Sequence, residues 1–375
     1  MGIMTKPTIA LLLGGGGARA AYQVGLLKGI VSLKPDVKDI PFKIVCGTSA
    51  GAINATTLAC FASNFPLCVR KLDWLWSNIH TEQIYHCTPW NVIKHVTSMF
   101  ARNIRVEHAN EGAPSLLNPS PLRNMLNNHL DFSMIDRQIE NGSLNALSLS
   151  CSCYQSKRCI TFFQSNVTEP WQRAKHGGQK THLTIDHILA SAAIPLIFPS
   201  VKIKDLFYGD GTIHQLAPLS APIHLGADKV IVLSLDSAQP AHAQFTKHPT
   251  GAAIATHLLD TIFSDTLSSD VERLNRINQT LTLIPEKTKK KMSLKPIEIA
   301  VLKPSIDLGE LTTNYYQDMP KTIQMLFNLI GANTEMAGGL VSYLLFEGSY
   351  CQALIDLGEK DALDQADTLK RILGY

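Results

Sequence analysis

The sequence is short of several features that would define other classes of protein. Only 17% of its 375 residues are charged, and the formal net charge is only +3. Nucleic-acid binding depends on clustered positive charge that neutralises phosphates, so we expect no nucleic-acid partner. The chain also lacks an apolar run of the roughly 20 residues that a membrane-spanning helix needs. Its first residues lack the features of a secretory signal. We therefore expect a cytoplasmic protein, with peripheral contact at membranes as an alternative.

Cysteine spacing gives little support for a metal site. Three of the eight cysteines, Cys151, Cys153 and Cys159, are close together, but they fall in an alternating strand pattern. No second Cys-x-x-Cys or histidine pair completes a metal-binding pattern around them. We expect reduced and mostly buried thiols, as in cytosolic proteins, and we predict neither a metal nor a cofactor.

Two strand–turn–helix units open the chain. Residues 8–13 and 43–46 are short apolar runs, and each leads through glycines into a stretch with helical spacing. This order is typical of a parallel sheet covered by helices. Hydrophobic patterns predict a helix at 185–193 and further strands at 146–154, 159–164, 229–235, 280–284 and 297–302.

The segment Gly47-Thr48-Ser49-Ala50-Gly51 lies between the second strand and the helix that follows it. A serine in a G-x-S-x-G motif at such a turn is the nucleophile of many hydrolases. Glycines at 47 and 51 leave room for a strained turn. The helix that starts there favours developing negative charge. The motif predicts Ser49 as a nucleophile.

A run of glycines, Gly14 to Gly17, follows the first strand and precedes Ala18-Arg19. Adjacent glycine amides can form an oxyanion hole, which binds the negative oxygen of a tetrahedral intermediate. The same residues also satisfy the G-x-G-x-x-[GA] pattern of dinucleotide-binding proteins. Both interpretations stay open from the glycines alone, although the acidic residue that a dinucleotide site needs does not follow the second strand.

The pair Asp210-Gly211 is the third element of the pattern, and by itself it predicts only a turn. The three elements together resemble bacterial patatin-like phospholipases. The resemblance rests on Leu-Gly-Gly-Gly-Gly-Ala-Arg, on Gly-Thr-Ser-Ala-Gly, on Ala-Ser-Ala-Ala-Ile-Pro-Leu-Ile-Phe-Pro at 190–199 and on Asp210-Gly211, in this order. It implies a three-layer α/β/α fold with a mostly parallel central sheet, a helical cap and a helical C-terminal extension.

The resemblance also implies boundaries within the chain. Residues 8–236 would form the catalytic domain, and residues 237–375 a C-terminal extension packed on the same unit. Between 65 and 130 the alternation of strands and helices is lost. We predict a helical cap there. Three of the four tryptophans, Trp74, Trp76 and Trp90, lie in this cap and suggest an acyl channel, because tryptophan suits membrane interfaces.

Carried over to this chain, the family pattern makes Ser49 the nucleophile and Asp210 the base of a Ser–Asp dyad. Amides around Gly15, Gly16 and Gly17 would form the oxyanion hole, and Arg19 would support their loop. The chain departs from the pattern at two positions. Ala20 replaces the usual glycine after the arginine, and Thr212 replaces the usual glycine or alanine after Asp-Gly.

The predicted function is therefore hydrolysis of carboxylic esters in lipids, such as phospholipids or lysophospholipids. One alternative is an esterase with a Ser–Asp–His triad, whose histidine would come after Asp210. Two others are a nucleotide-binding oxidoreductase that uses the glycine-rich loop and a catalytically silent lipid-binding module. Candidate triad histidines are His214, His224, His242, His248 and His257.

A group of basic residues, here called the lysine cluster, predicts contact with anionic lipid, where each lysine near the surface contributes ~1 kcal/mol. A solvated hairpin is the structural alternative. The cluster consists of Lys287, Lys289, Lys290, Lys291 and Lys295.

Overall fold

The computed structural model describes residues 6–87, 115–237, 251–289, 291–292, 294–329 and 338–375. The strands are β1 (Ile9–Leu13), β2 (Ile44–Thr48), β3 (Ala146–Cys153), β4 (Arg158–Ser165), β5 (Trp171–Gln172), β6 (His176–Lys180), β7 (Val201–Ile203), β8 (Leu206–Asp210), β9 (Lys229–Leu233) and β10 (Glu298–Leu302).

The α-helices begin with α1 (Ala21–Leu33), α2 (Ala50–Cys60), α3 (Phe65–Ser77), α4 (Thr81–Ile84), α5 (Ser120–His129), α6 (Ser133–Glu140), α7 (Ile185–Ser191) and α8 (Ser220–His224). They continue with α9 (Gly251–Thr282), α10 (Glu286–Lys289), α11 (Thr312–Tyr315), α12 (Lys321–Leu329), α13 (Gly338–Leu344), α14 (Gly348–Asp364) and α15 (Ala366–Leu373). Short 3₁₀ helices span Gly17–Ala20, Gly211–His214 and Tyr316–Asp318.

The ten described strands form one sheet, whose main path runs β10-β9-β1-β2-β3-β4-β6-β5. From β10 to β3 every neighbouring pair is parallel. Alternate residues of β1 enter separate cores, Leu11 and Leu13 on one face and Ala10 and Leu12 on the other, as the two-residue period of a strand requires. Helices α1 and α2 cover the first face, and α8 and α9 cover the second. The predicted three-layer fold with a mostly parallel sheet is confirmed.

The edges of β3 explain how the sheet brings two distant residues together. β4 pairs with β3 along its whole length, Ala146–Cys153. On the other edge, β2 pairs with β3 as far as Ser150, and β8 pairs with Cys151–Cys153 in the antiparallel direction. The ends of β2 and β8 therefore meet on the same edge of β3. As a result Asp210, the last residue of β8, lies next to Ser49, the first residue after β2.

Helices at the two ends of the chain are packed closely together. A Cβ atom at Gly25 of α1 would collide with the backbone of Ile355, and one at Gly358 of α14 would collide with the Tyr22 carbonyl. The Tyr22 hydroxyl donates a hydrogen bond to Asp361 Oδ2 at 2.9 Å. α14 thus shares its core with the first helix of the chain.

No helix among the described residues has both the length and the hydropathy that crossing a bilayer requires.

One predicted strand is wrong. Residues 280–282 are the end of α9, and a turn follows where the strand at 280–284 was expected. Alternating Thr and Leu residues suggested a strand, but Leu274 and Leu281, seven residues apart, are both buried, as on one face of a helix. Asn278 on the same helix exchanges two hydrogen bonds with the backbone of Ile297, just before β10.

Candidate active site

Ser49 occupies the sharp turn between β2 and α2. Its backbone angles are φ 56° and ψ −131°, a region that residues other than glycine rarely adopt. A Cβ atom at Gly47 would collide with the first turn of α2, and one at Gly51 would collide with the backbone at the end of β1. The two glycines therefore let the helix and two strands approach closely enough to form the turn. Ser49 is the N-cap residue of α2, as the elbow motif predicts.

The Ser49 hydroxyl lies against the carboxylate of Asp210. Ser49 Oγ donates a hydrogen bond to Asp210 Oδ2 at 2.6 Å, and both residues are about 1% exposed. Asp210 Oδ1 accepts hydrogen bonds from the N–H and the hydroxyl of Thr212, at 3.0 and 2.7 Å. Gly211 completes the turn without a side chain because the Ser150 carbonyl lies directly against it. The structure thus brings Ser49 and Asp210 together.

Burial determines the protonation behaviour of Asp210. It raises the pKa of this carboxyl from 3.8 to about 6, although hydrogen bonds from Ser49 and Thr212 act in the opposite direction. Hydrogen bonds favour the charged carboxylate, whereas removal from water disfavours it. Asp210 is therefore still ionised at pH 7 and is a stronger base than an exposed aspartate.

A second serine fixes the backbone of Ser49, and the sequence motifs assigned it no role. Ser191 Oγ accepts a hydrogen bond from the Ser49 N–H at 2.9 Å and donates one to the Ser150 carbonyl at 2.7 Å. Because the Ser49 amide is occupied in this way, donors to an oxyanion must come from other groups. The amide of Ala50 in the first turn of α2 and those of the glycine-rich loop are the candidates.

The glycine-rich loop borders Ser49. Gly16 precedes a 3₁₀ helix that begins at Gly17, and Gly17 has a positive φ of 55°. The Tyr343 carbonyl lies against Gly17 and leaves no room for a side chain. Gly17 and Ser49 line the same pocket, and Gly15 lines a neighbouring cavity. The predicted oxyanion loop is therefore adjacent to the predicted nucleophile.

Arg19 fastens this loop to the C-terminal extension. Its Nε donates to Ser342 Oγ at 2.6 Å, Nη1 to the Tyr343 hydroxyl at 3.2 Å and Nη2 to the Gly339 carbonyl at 3.4 Å. The guanidinium also lies 4.1 Å from the centre of the Tyr343 ring. All three partners belong to α13, so residues beyond 236 contribute directly to the surroundings of the site.

An apolar pocket opens beside Ser49. Ser49 and the backbone at Gly17 form its polar end. Many of its walls come from the region predicted as a helical cap, and others come from the segment that includes α13. The apolar and aromatic lining residues are Ala50, Ile53, Leu75, Trp76, Ile79, Ile84, Leu122, Met125, Ala192, Ile194, Phe198, Tyr343, Leu344 and Phe346.

The tryptophans of the predicted cap have different surroundings. Trp76 is about 1% exposed and lines the pocket, whereas Trp74 is 60% exposed. Trp74 lines a groove between α3 and α5 that shares Ile53 and Met125 with the pocket. Trp90 lies outside the described residues. The groove thus adjoins the apolar pocket on the side where Trp74 is exposed.

A buried chain of hydrogen bonds links the pocket to the glycine-rich loop. Trp76 Nε1 donates to Asn54 Oδ1 at 2.9 Å, and Asn54 Nδ2 donates to Gln23 Oε1 at 3.0 Å. Gln23 Nε2 then donates to the Gly14 carbonyl at 2.9 Å. This fixes the peptide plane that carries the Gly15 amide. Gln23 and Asn54 were not predicted as site residues, although a buried amide within an apolar helix could have drawn attention to them.

The candidate triad histidines do not bond to the Ser49 or Asp210 side chains in the described structure. His214 donates its backbone N–H to Ser152 Oγ, and its buried Nδ1 has no hydrogen-bond partner there. His224 Nδ1 lies 2.8 Å from the Ser220 carbonyl. His242, His248 and the side chain of His257 lie outside the described residues.

Lys295, the last residue of the lysine cluster, lies far from Ser49. Lys295 Nζ forms an ion pair with Asp228 Oδ1 at 2.5 Å, and Lys290 lies outside the described residues. Lys295 comes before β10, whereas Ser49 follows β2, and β2 and β10 run in the same direction. A five-residue strand spans about 16 Å, so Lys295 and Ser49 lie at opposite ends of the sheet.

An elbow serine bonded to a buried carboxylate, next to glycine amides, is the nucleophile-and-base geometry of serine hydrolases. Residues 11–223, more than half of the chain, match the family model described as patatin-like phospholipase. The chain belongs to the patatin-like phospholipase family, which is a family of lipid acyl hydrolases. This membership favours the hydrolase over the nucleotide-binding oxidoreductase.

Among solved structures, the chain is similar to VipD from Legionella pneumophila. The two share 12% sequence identity, and the match covers 80% of this chain and 62% of VipD, with a TM-score of 0.35. This chain thus spans less than two thirds of that protein's length. No curated protein sequence matches the chain.

Proposed function

We propose that this protein is a serine hydrolase that cleaves carboxylic esters of lipids through an acyl-enzyme on Ser49, with Asp210 as the general base. The observation that supports this most directly is the 2.6 Å hydrogen bond from Ser49 Oγ to Asp210 Oδ2 beside an apolar pocket. Family membership supports the same class of activity.

In the proposed reaction, Asp210 takes the proton of Ser49 as Oγ attacks the ester carbonyl carbon. The negative oxygen that develops accepts hydrogen bonds from amides of the glycine-rich loop and the start of α2. Collapse of this intermediate breaks the bond to the alcohol, which leaves with the proton held by Asp210. Water then attacks the acyl carbon and gives a proton to Asp210. Cleavage of the bond to Ser49 Oγ releases the carboxylic acid, and Asp210 returns the proton to Oγ.

The lining of the pocket favours an apolar acyl group over a polar one. Its lining is apolar except at the Ser49 end, and burial of each methylene group contributes about 0.8 kcal/mol. We propose that helices α3 to α5 form the predicted cap and that the acyl chain lies between this cap and the elbow. Phospholipids and lysophospholipids are the proposed substrates, because they combine such chains with carboxylic esters.

Turnover of a short, water-soluble ester by point variants tests this assignment. Ser49→Ala should abolish hydrolysis, and Asp210→Asn should lower kcat by at least ~10³-fold because the base is lost. Asp205→Asn, at an exposed position of the same hairpin, is the matched control and should keep wild-type activity. His214→Ala should cost less than ~10-fold. Near-wild-type turnover by folded Ser49→Ala would refute the nucleophile, and a His214→Ala loss equal to that of Asp210→Asn would refute the dyad.

We also propose that the protein works in the cytoplasm and makes peripheral contact with anionic membranes. The eight cysteines are unpaired and buried, which suits a reducing compartment. The lysine cluster would attach the protein without delivering substrate, because Lys295 lies at the end of the sheet away from Ser49. Lys287→Glu together with Lys289→Glu should weaken sedimentation with anionic vesicles and leave soluble-ester turnover unchanged. Unchanged sedimentation would exclude the cluster as a contact.

A further inference from the structure

Thr212 contacts Asp210 through two separate donors. Its N–H and its hydroxyl both bond to Asp210 Oδ1, at 3.0 and 2.7 Å, while Oδ2 accepts from Ser49. The amide contact follows from the turn, since Asp210 caps the 3₁₀ helix that begins at Gly211. The hydroxyl contact depends on the residue type, and a glycine or alanine at position 212 would lack it.

We propose that Thr212 is a positioning residue of the Ser–Asp dyad, whose hydroxyl holds the Asp210 carboxylate in orientation and keeps it ionised at lower pH than the turn alone would. This inference rests on the proposed function, because it concerns the same dyad. With both donors on Oδ1, the carboxylate cannot rotate without breaking them. Oδ2 is therefore the oxygen presented to Ser49.

The surroundings of Asp210 make a single hydroxyl important. Among the described residues, the titratable groups that interact electrostatically with it are the thiol of Cys151 and the phenol of Tyr154, both on the β3 side. Burial raises the pKa of both groups, so both are neutral at pH 7. The ionised carboxylate is then stabilised by hydrogen bonds from Ser49 and Thr212, with no described cation bonded to it. Loss of one such bond favours the protonated form.

The test is the pH dependence of kcat/KM for a soluble ester, whose acid limb reports the base of the free enzyme. Thr212→Val keeps the branched shape and removes the hydroxyl, and Thr212→Ala removes it with less steric risk. Both should move the acid limb to higher pH by about one unit, which corresponds to a tenfold change in the protonation equilibrium of Asp210. Thr212→Ser restores the donor and should follow the wild-type profile.

A merely structural role for Thr212 would lower thermal stability or the plateau rate without moving the acid limb. An unmoved limb in folded Thr212→Ala, or an equal shift in Thr212→Ser, would overturn the inference. If the wild-type protein shows no Ser49-dependent turnover, the proposed function fails and the inference fails with it. If turnover depends on Ser49 and Asp210 but the limb does not move, only the inference fails.

Discussion

Replacing Asp210 by asparagine should make the protein more stable at neutral and alkaline pH, although it removes the proposed general base. Burial raises the pKa of Asp210 from 3.8 to about 6, a shift of about 2.2 units, from 6 minus 3.8. At 1.36 kcal/mol per unit, the charged carboxylate destabilises the folded state by about 3 kcal/mol. An asparagine carboxamide avoids this cost and can still accept from Thr212 and donate to Ser49.

The sign of the pH dependence follows from the raised pKa. A group whose pKa is higher in the folded state favours folding below its unfolded pKa, and this contribution is lost as pH rises through the folded pKa. The wild-type protein should therefore lose this stability between about pH 4 and pH 6, whereas Asp210→Asn should not. The free energy of unfolding of Asp210→Asn should therefore exceed that of the wild-type protein by an amount that grows by about 2 to 3 kcal/mol from pH 4 to pH 8.

Urea unfolding followed by far-UV circular dichroism, at several pH values from 4 to 8, measures this difference in the free energy of unfolding. Asp205→Asn, which replaces an exposed carboxylate of the same hairpin, controls for the loss of one negative charge. Two results would refute the conclusion that burial of the charged Asp210 carboxylate destabilises the fold. One is a stability difference between the two proteins that does not change with pH, and the other is an Asp210→Asn protein less stable than wild type at pH 8.

Two further predictions concern the loop and the groove. Gln23→Leu removes the donor to the Gly14 carbonyl, so kcat should fall by about 10- to 100-fold, equivalent to about 1 to 3 kcal/mol. Steady-state kinetics on a soluble ester measure this fall, and an unchanged kcat would mean that the loop does not need this hydrogen bond. Trp74→Ala should impair hydrolysis of long-chain esters in vesicles far more than that of short soluble esters, because Trp74 is exposed in the groove that adjoins the apolar pocket. Equal losses on both substrates would limit Trp74 to a role in folding.

The elbow and the parallel half of the sheet could be predicted because their signals are local. β1 and most of β2 and β9 are continuous apolar runs, and glycine spacing marks the turn around Ser49. β8 was not predicted, and its position depends on the free end of the β3 edge, which no local pattern specifies. The meeting of Ser49 and Asp210 could therefore be expected only from the family resemblance.

Contacts made by the C-terminal extension were also beyond the reach of sequence patterns. Arg19 and Tyr343 are 324 positions apart, yet they bond beside the glycine-rich loop. Nothing in the local sequence of either residue specifies the other, because the contact depends on how α13 packs beside the glycine-rich loop. Side-chain networks such as the one through Gln23 and Asn54 likewise depend on tertiary packing.

Covalent labelling of the nucleophile tests the central claim most directly. A fluorophosphonate ester reacts only with an activated serine, and mass spectrometry of the digested protein locates the adduct. We predict a single adduct on Ser49 of the wild-type protein, strongly slowed labelling of Asp210→Asn and none of Ser49→Ala. Wild-type protein that stays unlabelled at Ser49, or a Ser49→Ala protein that is labelled as fast as wild type, would contradict the assignment.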